Sequence, residues 1–415
     1  MSNRRRVVVT GMAVISSVGL DLDETWTNLK AGKSGIGSVT QFDTTGFATT
    51  IAGEVKGFEP GDYMEKKDAR KMARFSQFAV AASHMAAKMA GLEKGNFKSE
   101  RAGVFLGVGI GGFQDMEEGA VMVNTKGPHS VQPMLIPKLI SNEAAGNTAI
   151  SLGLKGPSCA VTTACSSGTD AAVLAADVIR AGRADIMFTG GTEACITKLA
   201  FAGFNKLMAM TTNFNDTPEK ASRPFDCDRS GFVMGEGAGV LILEEYEHAK
   251  ARGADIICEY AGGAMTCDAY HLTSPTPDGS GAKEAFRLAL ADAGLNPTDI
   301  GYINAHATST PINDPTESKV IAEVFGDYAG NGLLISGTKS MTGHTLGAAG
   351  GIEAIVAIKS MLDGFIPPTI NLEKADEECT LNYVPNKGVK AEVNAVMSDS
   401  LGFGGHNGVI CFKKI

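Results

Sequence analysis

Apolar and polar positions along the chain alternate between two periods. Short β-branched or apolar runs, such as Val104-Phe105-Leu106, Ile186-Met187-Phe188 and Val240-Leu241-Ile242-Leu243, predict buried strands. Amphipathic stretches between them predict helices. The clearest spans Ala282 to Ala293, where Phe286, Ala289, Leu290 and Ala293 recur at i, i+3, i+4 and i+7 and Gly294 supplies the stop. Near the start, Arg4-Arg5-Arg6 followed by Val7-Val8-Val9 imitates a signal peptide, but Thr10-Gly11 interrupts the apolar run. The segment is read as a buried first strand that ends in a turn. This alternation of strands and helices predicts an α/β fold.

A weak internal repeat is visible. Gly168 and Gly182 bracket a helical pattern with Ala171, Leu174, Ala175, Val178 and Ile179 on one side, and the same interval separates Gly350 and Gly364 around Ile355, Ile358 and Leu362. A small-residue loop with one reactive side chain precedes each, Cys165 in the first and His344 in the second. The pattern suggests two similar halves, residues 1–253 and 254–415, meeting at one site. No Gly/Ser or Pro linker separates them.

Composition narrows the function classes. The chain has 415 residues, 44% hydrophobic and 20% charged, with 51 glycines, which is the profile of a globular protein rich in tight turns. A net charge of -9 argues against nucleic acid as the main partner, because neutralising phosphates needs a basic face. Even the Ala-rich stretch from Ala171 carries Asp177 and Arg180, so no membrane span is expected. The eight cysteines form no CxxC pair and no His/Cys metal spacing. Reduced thiols, a cytoplasmic location and no metal are the expectation.

One cysteine stands apart. In Ala160-Val161-Thr162-Thr163-Ala164-Cys165-Ser166-Ser167-Gly168 a thiol lies between a strand-like run and a helix start. There the helix end favours a thiolate, and free backbone N–H groups can receive an oxyanion. Cys159, in the apolar run before it, reads as structural. Two further loops carry histidines with hydroxyl or amine neighbours. They are Asn304-Ala305-His306-Ala307-Thr308-Ser309-Thr310 and Thr338-Lys339-Ser340-Met341-Thr342-Gly343-His344, the latter with Glu353 a few turns on. The glycine-rich Leu401-Gly402-Phe403-Gly404-Gly405-His406-Asn407-Gly408 reads as a flexible loop with Phe403 as a movable cover, its N–H turned into the site. Gly107-Val108-Gly109-Ile110-Gly111-Gly112 matches a dinucleotide fingerprint but has no strand-end acid downstream. Lys67, Arg70, Lys71 and Arg74 fall on one face if that segment is helical, either as a solvated face or as a dock for an acidic partner.

Together these motifs resemble, in order, those of the 3-oxoacyl-[acyl-carrier-protein] synthases. The His/His pair, with Asp268-Ala-Tyr-His-Leu-Thr-Ser-Pro275 and Pro367-Pro-Thr-Ile-Asn-Leu372, resembles the elongating enzymes of bacterial type II fatty acid synthesis. The resemblance implies a thiolase-like five-layer α-β-α-β-α sandwich of two similar halves, usually a homodimer. It makes Cys165 the nucleophile that holds an acyl thioester, and His306 and His344 the pair that decarboxylates a malonyl thioester. It implies an oxyanion hole from the N–H groups of Cys165 and Phe403, and a supporting pair, Lys339 and Glu353, near His344. Thr308 and Thr310 would hold the phosphopantetheine arm, which arrives on the acyl carrier protein, so no resident cofactor is implied. Ile110 and Phe204 would line the acyl tunnel, His271 would belong to the substrate site, and Lys67, Arg70 and Lys71 would dock the carrier. Ala307, Asp399, Leu401 and His406 depart from the family's common Gly, Asn, Phe and Thr, and Met208 stands where an Arg is frequent. A polyketide ketosynthase, a non-catalytic chain-length partner and a thiolase are the alternatives. The partner would lack Cys165, and a thiolase would carry a second reactive Cys near the C-terminus, where Cys411 lies in an apolar run.

Overall fold

One strand pattern occurs twice and the two copies join edge to edge. The computed structural model describes residues 4–415. Its principal strands in the first half are Val7–Ile15 (β1), Ala102–Gly107 (β2), Ser158–Val161 (β3), Ile186–Glu193 (β4) and Gly237–Glu245 (β5). The second half supplies Cys258–Cys267 (β6), Tyr302–Asn304 (β7), Leu334–Ser336 (β8), Ala395–Gly402 (β9) and His406–Lys413 (β10). They form a 10-stranded sheet in the order β8-β7-β9-β10-β6-β1-β5-β4-β2-β3. In the first half β2 runs parallel to β3 and β4, while β5 is antiparallel to β4 and β1. The second half repeats this: β7 is parallel to β8 and β9, and β10 is antiparallel to β9 and β6. Antiparallel pairing of Val7, Val8 and Val9 with Tyr260, Glu259 and Cys258 closes the seam.

The first strand does not turn at Thr10-Gly11. All nine of its residues are buried, and the register shifts between Val9 and Gly11, a β-bulge that absorbs one residue. Thr10 stays satisfied inside because its hydroxyl donates to Glu244 Oε2 at 2.9 Å.

Six helices position the rest: Arg74–Met89 (α1), Phe113–Lys126 (α2), Ser167–Arg180 (α3), Ser280–Ala293 (α4), Asn313–Phe325 (α5) and Ala349–Asp363 (α6). Helix α4 has the predicted apolar face and ends on Gly294 in the left-handed region. It covers β6 and β10, and α1 covers β1 and β5 in the same way. The two Gly-bounded helices of the sequence repeat, α3 and α6, are buried along most of their length and pack on each other between the half-sheets. The layers are therefore helix, sheet, central helix pair, sheet and helix, the five-layer sandwich.

The basic face from Lys67 to Arg74 does not form. A short helix, Lys66–Ala69, ends before α1 begins at Arg74, so no common helical axis aligns the four side chains. Arg74 turns inward to an ion pair with the buried Glu236 at 2.8 Å, leaving Lys67, Arg70 and Lys71 exposed.

The halves approach closely enough that glycines replace side chains at the contact. A Cβ on Gly191 of β4 would press on the carbonyl oxygen of Gly347 in the other half, with Ala348 Cα at 3.1 Å. Backbone cannot step aside as a flexible side chain can. Gly191→Ala is expected to lower stability by about 1–3 kcal/mol, read as a lower urea midpoint at unchanged slope. Gly203→Ala, where nothing lies within 4 Å of the added atom, should leave the midpoint unchanged or raise it.

Candidate active site

The thiol of Cys165 lies in a single 3-10 turn, Ala164–Ser166, between β3 and the start of α3. The turn is strained, since Ala164 takes φ 54°, a left-handed conformation that costs an L residue about 1–2 kcal/mol. Local hydrogen bonds hold it there. The Ser167 hydroxyl donates to the Ala164 carbonyl at 2.6 Å, and Asp170 Oδ2 accepts from the hydroxyls of Thr163 at 2.6 Å and Ser166 at 3.0 Å. From the second half, Gly402 comes so near that an added Cβ would sit 2.6 Å from the Thr163 carbonyl and 3.3 Å from the Cys165 nitrogen. That approach explains a glycine at this position.

Two imidazoles face the same space. His306 follows β7, and His344 lies between the short helix Lys339–Thr342 and a turn at Leu346–Ala348 that mirrors the cysteine turn. Their ring centroids are 5.3 Å apart at 88°, and Phe232 packs edge-on against His344, also at 5.3 Å. Cys165, His306 and His344 all line one cavity of about 430 Å³. So do Ile110, Phe204, Thr308, Thr310 and Phe403, and the hydroxyls of the two threonines are 3.0 Å apart.

The electrostatics correct one expectation. The sulfur is not ionised at rest: burial pushes the Cys165 thiol up to about 11, outweighing Lys339 and the N–H groups of Phe403 and Cys165, while Glu193 adds to the rise. The magnitudes explain the outcome, because a helix terminus contributes about 0.3–1 kcal/mol whereas full burial displaces a titration by up to about 3–5 pH units. Burial, then the charge of Lys339, pushes both histidines well below the usual imidazole range, and for His306 the second ring contributes. The resting site is thus a neutral thiol facing neutral imidazoles.

Lys339 serves a different histidine from the one expected. Its Nζ donates to the His306 carbonyl at 2.6 Å and stands 3.4 Å from His306 Nδ1, while pairing with Glu353. An ammonium beside Nδ1 makes that atom an acceptor, so the neutral ring carries its proton on Nε2. His344 Nδ1 has no partner. Lys339 and Glu353 are buried behind the rings, outside the cavity wall.

The remaining candidates divide. Phe403 tops a three-residue hairpin between β9 and β10 rather than a long flexible loop, with Gly404 and Gly405 at φ 88° and 78°. Its ring lies 6.5 Å from that of Phe204. His271 is exposed and does not line the cavity; Thr273, Ser274 and Pro275 do, and the Thr273 N–H donates to His271 Nδ1 at 3.1 Å. Lys67, Arg70 and Lys71 are also away from the wall, with Lys67 paired to Glu65 and Lys71 to Asp68. Glu193 is a residue beside the site that sequence reasoning missed. Its buried carboxylate accepts the N–H groups of Gly109 at 2.8 Å, Gly111 at 3.1 Å and Gly347 at 3.2 Å, so the false dinucleotide loop is a collar pinned beside Cys165.

Comparison with known proteins agrees with this geometry. Residues 4–249 match the model of the beta-ketoacyl synthase N-terminal domain and residues 257–373 that of the C-terminal domain. A 3-oxoacyl-[acyl-carrier-protein] synthase 2 from Synechocystis is 48% identical over 99% of this chain and 98% of its own. Its counterpart from Vibrio cholerae is 48% identical over 100% of both. Among solved structures, the ishigamide ketosynthase/chain length factor superposes with a TM-score of 0.93 at 39% identity over 99% of this chain and 100% of that one. AntDE:AntF, a type II polyketide carrier protein in complex with its ketosynthase, gives 0.92 at 35% over 100% of both chains. Two halves with one strand order, a thiol from the first and two histidines from the second, and a match to both domain models establish that the chain belongs to the beta-ketoacyl synthase family.

Proposed function

We propose that the chain elongates fatty acyl groups by decarboxylative Claisen condensation of malonyl carrier protein with an acyl group held on Cys165. The observation that carries this reading is the single cavity in which that thiol meets two neutral imidazoles. In the first half-reaction the Cys165 sulfur attacks the acyl thioester, the C–S bond to the carrier breaks, and the proton given up by Cys165 passes to the departing carrier thiolate, which leaves as a thiol. In the second, the malonyl C–C bond to its carboxylate breaks, carbon dioxide leaves, and the electron pair remains as an enolate. The enolate attacks the acyl-Cys165 carbonyl, the new C–C bond forms, the C–S bond breaks, 3-oxoacyl carrier protein is released, and the Cys165 thiolate takes up a proton from solvent to restore the resting thiol.

The residues divide this work as follows. His306 and His344, each neutral and carrying one N–H, donate it to the malonyl thioester carbonyl as the enolate develops. The N–H groups of Cys165 and Phe403 stabilise the tetrahedral oxyanion, and one such donor contributes about 10²–10³ in rate. Lys339 and Glu353 fix His306, Thr308 and Thr310 bind the phosphopantetheine arm of the carrier, and Ile110 and Phe204 line the acyl tunnel. Phe403 gates entry. Lys67, Arg70 and Lys71 dock the acidic carrier as separate exposed cations. The homodimer is supported by apolar side chains left outside, among them Val121 at 56% exposure, Ile136 at 60% and Ile150 at 76%. Among the described residues no helix is long and apolar enough to cross a membrane.

The alternatives fare less well. Cys165 is present, unlike in a chain-length partner, and Cys411 is buried in the second half's core, its Sγ near the Ala289 carbonyl at 3.8 Å and outside the cavity, which removes the second thiol of a thiolase. The ketosynthase of the type II polyketide complex shares the fold at 35% identity, below the 47–48% to the 3-oxoacyl-[acyl-carrier-protein] synthases 2.

Cys165→Ala should abolish acyl loading without unfolding the chain; intact mass after incubation with acyl carrier protein should show an adduct on the wild type only, and an adduct on the variant would refute the nucleophile. His306→Ala should still load but lose at least about 10²-fold in condensation; a failure already at loading would make His306 the base for the thiol instead. Lys339→Met removes the largest influence that pulls the Cys165 thiol down. Its iodoacetamide alkylation at mildly alkaline pH should therefore slow, and an unchanged rate would contradict the electrostatic assignment.

A further inference from the structure

Behind His306 lies a buried acidic group that the chemistry above does not use. Glu317 Oε1, Glu353 Oε2 and both carboxyl oxygens of Asp399 have no hydrogen-bond donor, although all three residues are buried. Asp399 follows Ser398, which pairs with Asn304 across β9 and β7, and so it enters the protein directly beside the strand that delivers His306. There it meets Glu317 of α5 carboxyl to carboxyl. The other oxygen of Glu317, Oε2, accepts the Ala307 N–H at 2.8 Å and the Asn313 side-chain amide at 3.1 Å. Ala307 holds φ 41°, a left-handed conformation for a residue with a Cβ. The two departures from the family pattern, Ala307 and Asp399, thus bear on one carboxyl.

Two carboxylates in contact and out of water cannot both be charged. Of the groups facing the pair, Lys339 is ion-paired with Glu353, and Asp314 brings a further carboxyl that faces Arg229 at 3.9 Å. His306 itself is neutral. We propose that Asp399 and Glu317 share one proton, and that this acid–carboxylate bridge positions His306 by holding Glu317 Oε2 on the Ala307 N–H of its strained turn. Asp399 is a positioning residue, since it touches neither substrate nor the reacting atoms. Its positional role rests on the condensing-enzyme reading; the shared proton does not.

The sign of the pH dependence follows from the geometry. Burial pushes Glu317 up to about 7 and Asp399 well above the usual carboxylate range, so the pair gives up the first of two protons near neutrality and keeps the single shared one until Asp399 ionises at higher pH; the stabilisation, complete below the carboxyl range of the unfolded chain, declines as pH rises through both steps. Asp399→Asn keeps a donor toward Glu317 but cannot ionise. Infrared difference spectra of wild type against Asp399→Asn at neutral pH should show the C=O band of a protonated carboxylic acid, sensitive to D₂O, lost in the variant. Glu317→Gln, whose amide donates to an ionised Asp399, should lose the same band. The melting temperature of the wild type should fall more steeply above neutrality than that of Asp399→Asn. Asp399→Leu should slow condensation on the order of 10²-fold while acyl loading continues, with Asn restoring it. An acid band unchanged in both amide variants, or both carboxylates ionised around a bound cation, would overturn the proposal. Loss of the band with no condensation by any form, wild type included, would retain the shared proton and discard the condensing-enzyme reading.

Discussion

Everything in this molecule depends on how closely its two central helices can approach. Helices α3 and α6 each start from a turn with a residue in the left-handed region, Ala164 in one and Leu346 in the other. They meet through glycines: a Cβ on Gly168 would lie 2.9 Å from the Gly351 nitrogen and 3.0 Å from the Gly347 carbonyl. Because backbone touches backbone, the thiol at the start of α3 and the histidine just before α6 are brought to the same cavity. The duplicated sheet exists around that contact, with the strand order of one half repeated in the other.

Burial then decides the chemistry. Excluding water raises the Cys165 thiol and lowers both imidazoles, so the charges that a solvent-exposed Cys/His site would carry are absent at rest. A neutral imidazole keeps one N–H to donate, and that donor can point at a carbonyl about to become an enolate. Lys339 places a cation where it can lower the thiol and orient His306 while Glu353 partly offsets it. The balance is held by side chains that never reach the cavity.

Local motifs made much of this legible in advance. The loops around Cys165, His306, His344 and Phe403 stood out because glycine, threonine and small residues cluster at strand ends, and the Gly-bounded helices revealed the duplication. What escaped were contacts between distant segments. Glu193 and Glu317 look like ordinary acids in their own windows, and only the fold turns one toward the Gly109 loop and the other toward Ala307. The ionised thiol was misjudged for the same reason, since a sequence shows a helix start but not the depth at which it lies. The break between Lys66–Ala69 and α1 was hidden because the basic spacing continues through it, while Arg74 is drawn inward by Glu236.

The most direct test of this account is the protonation of the two histidines, read by ¹⁵N NMR of imidazole-labelled protein with His306 assigned through its Asn variant. The account predicts neutral rings across the physiological range, with the His306 proton on Nε2 and Nδ1 bare beside Lys339. An imidazolium signal from either residue at neutral pH, or a proton on His306 Nδ1, would contradict it.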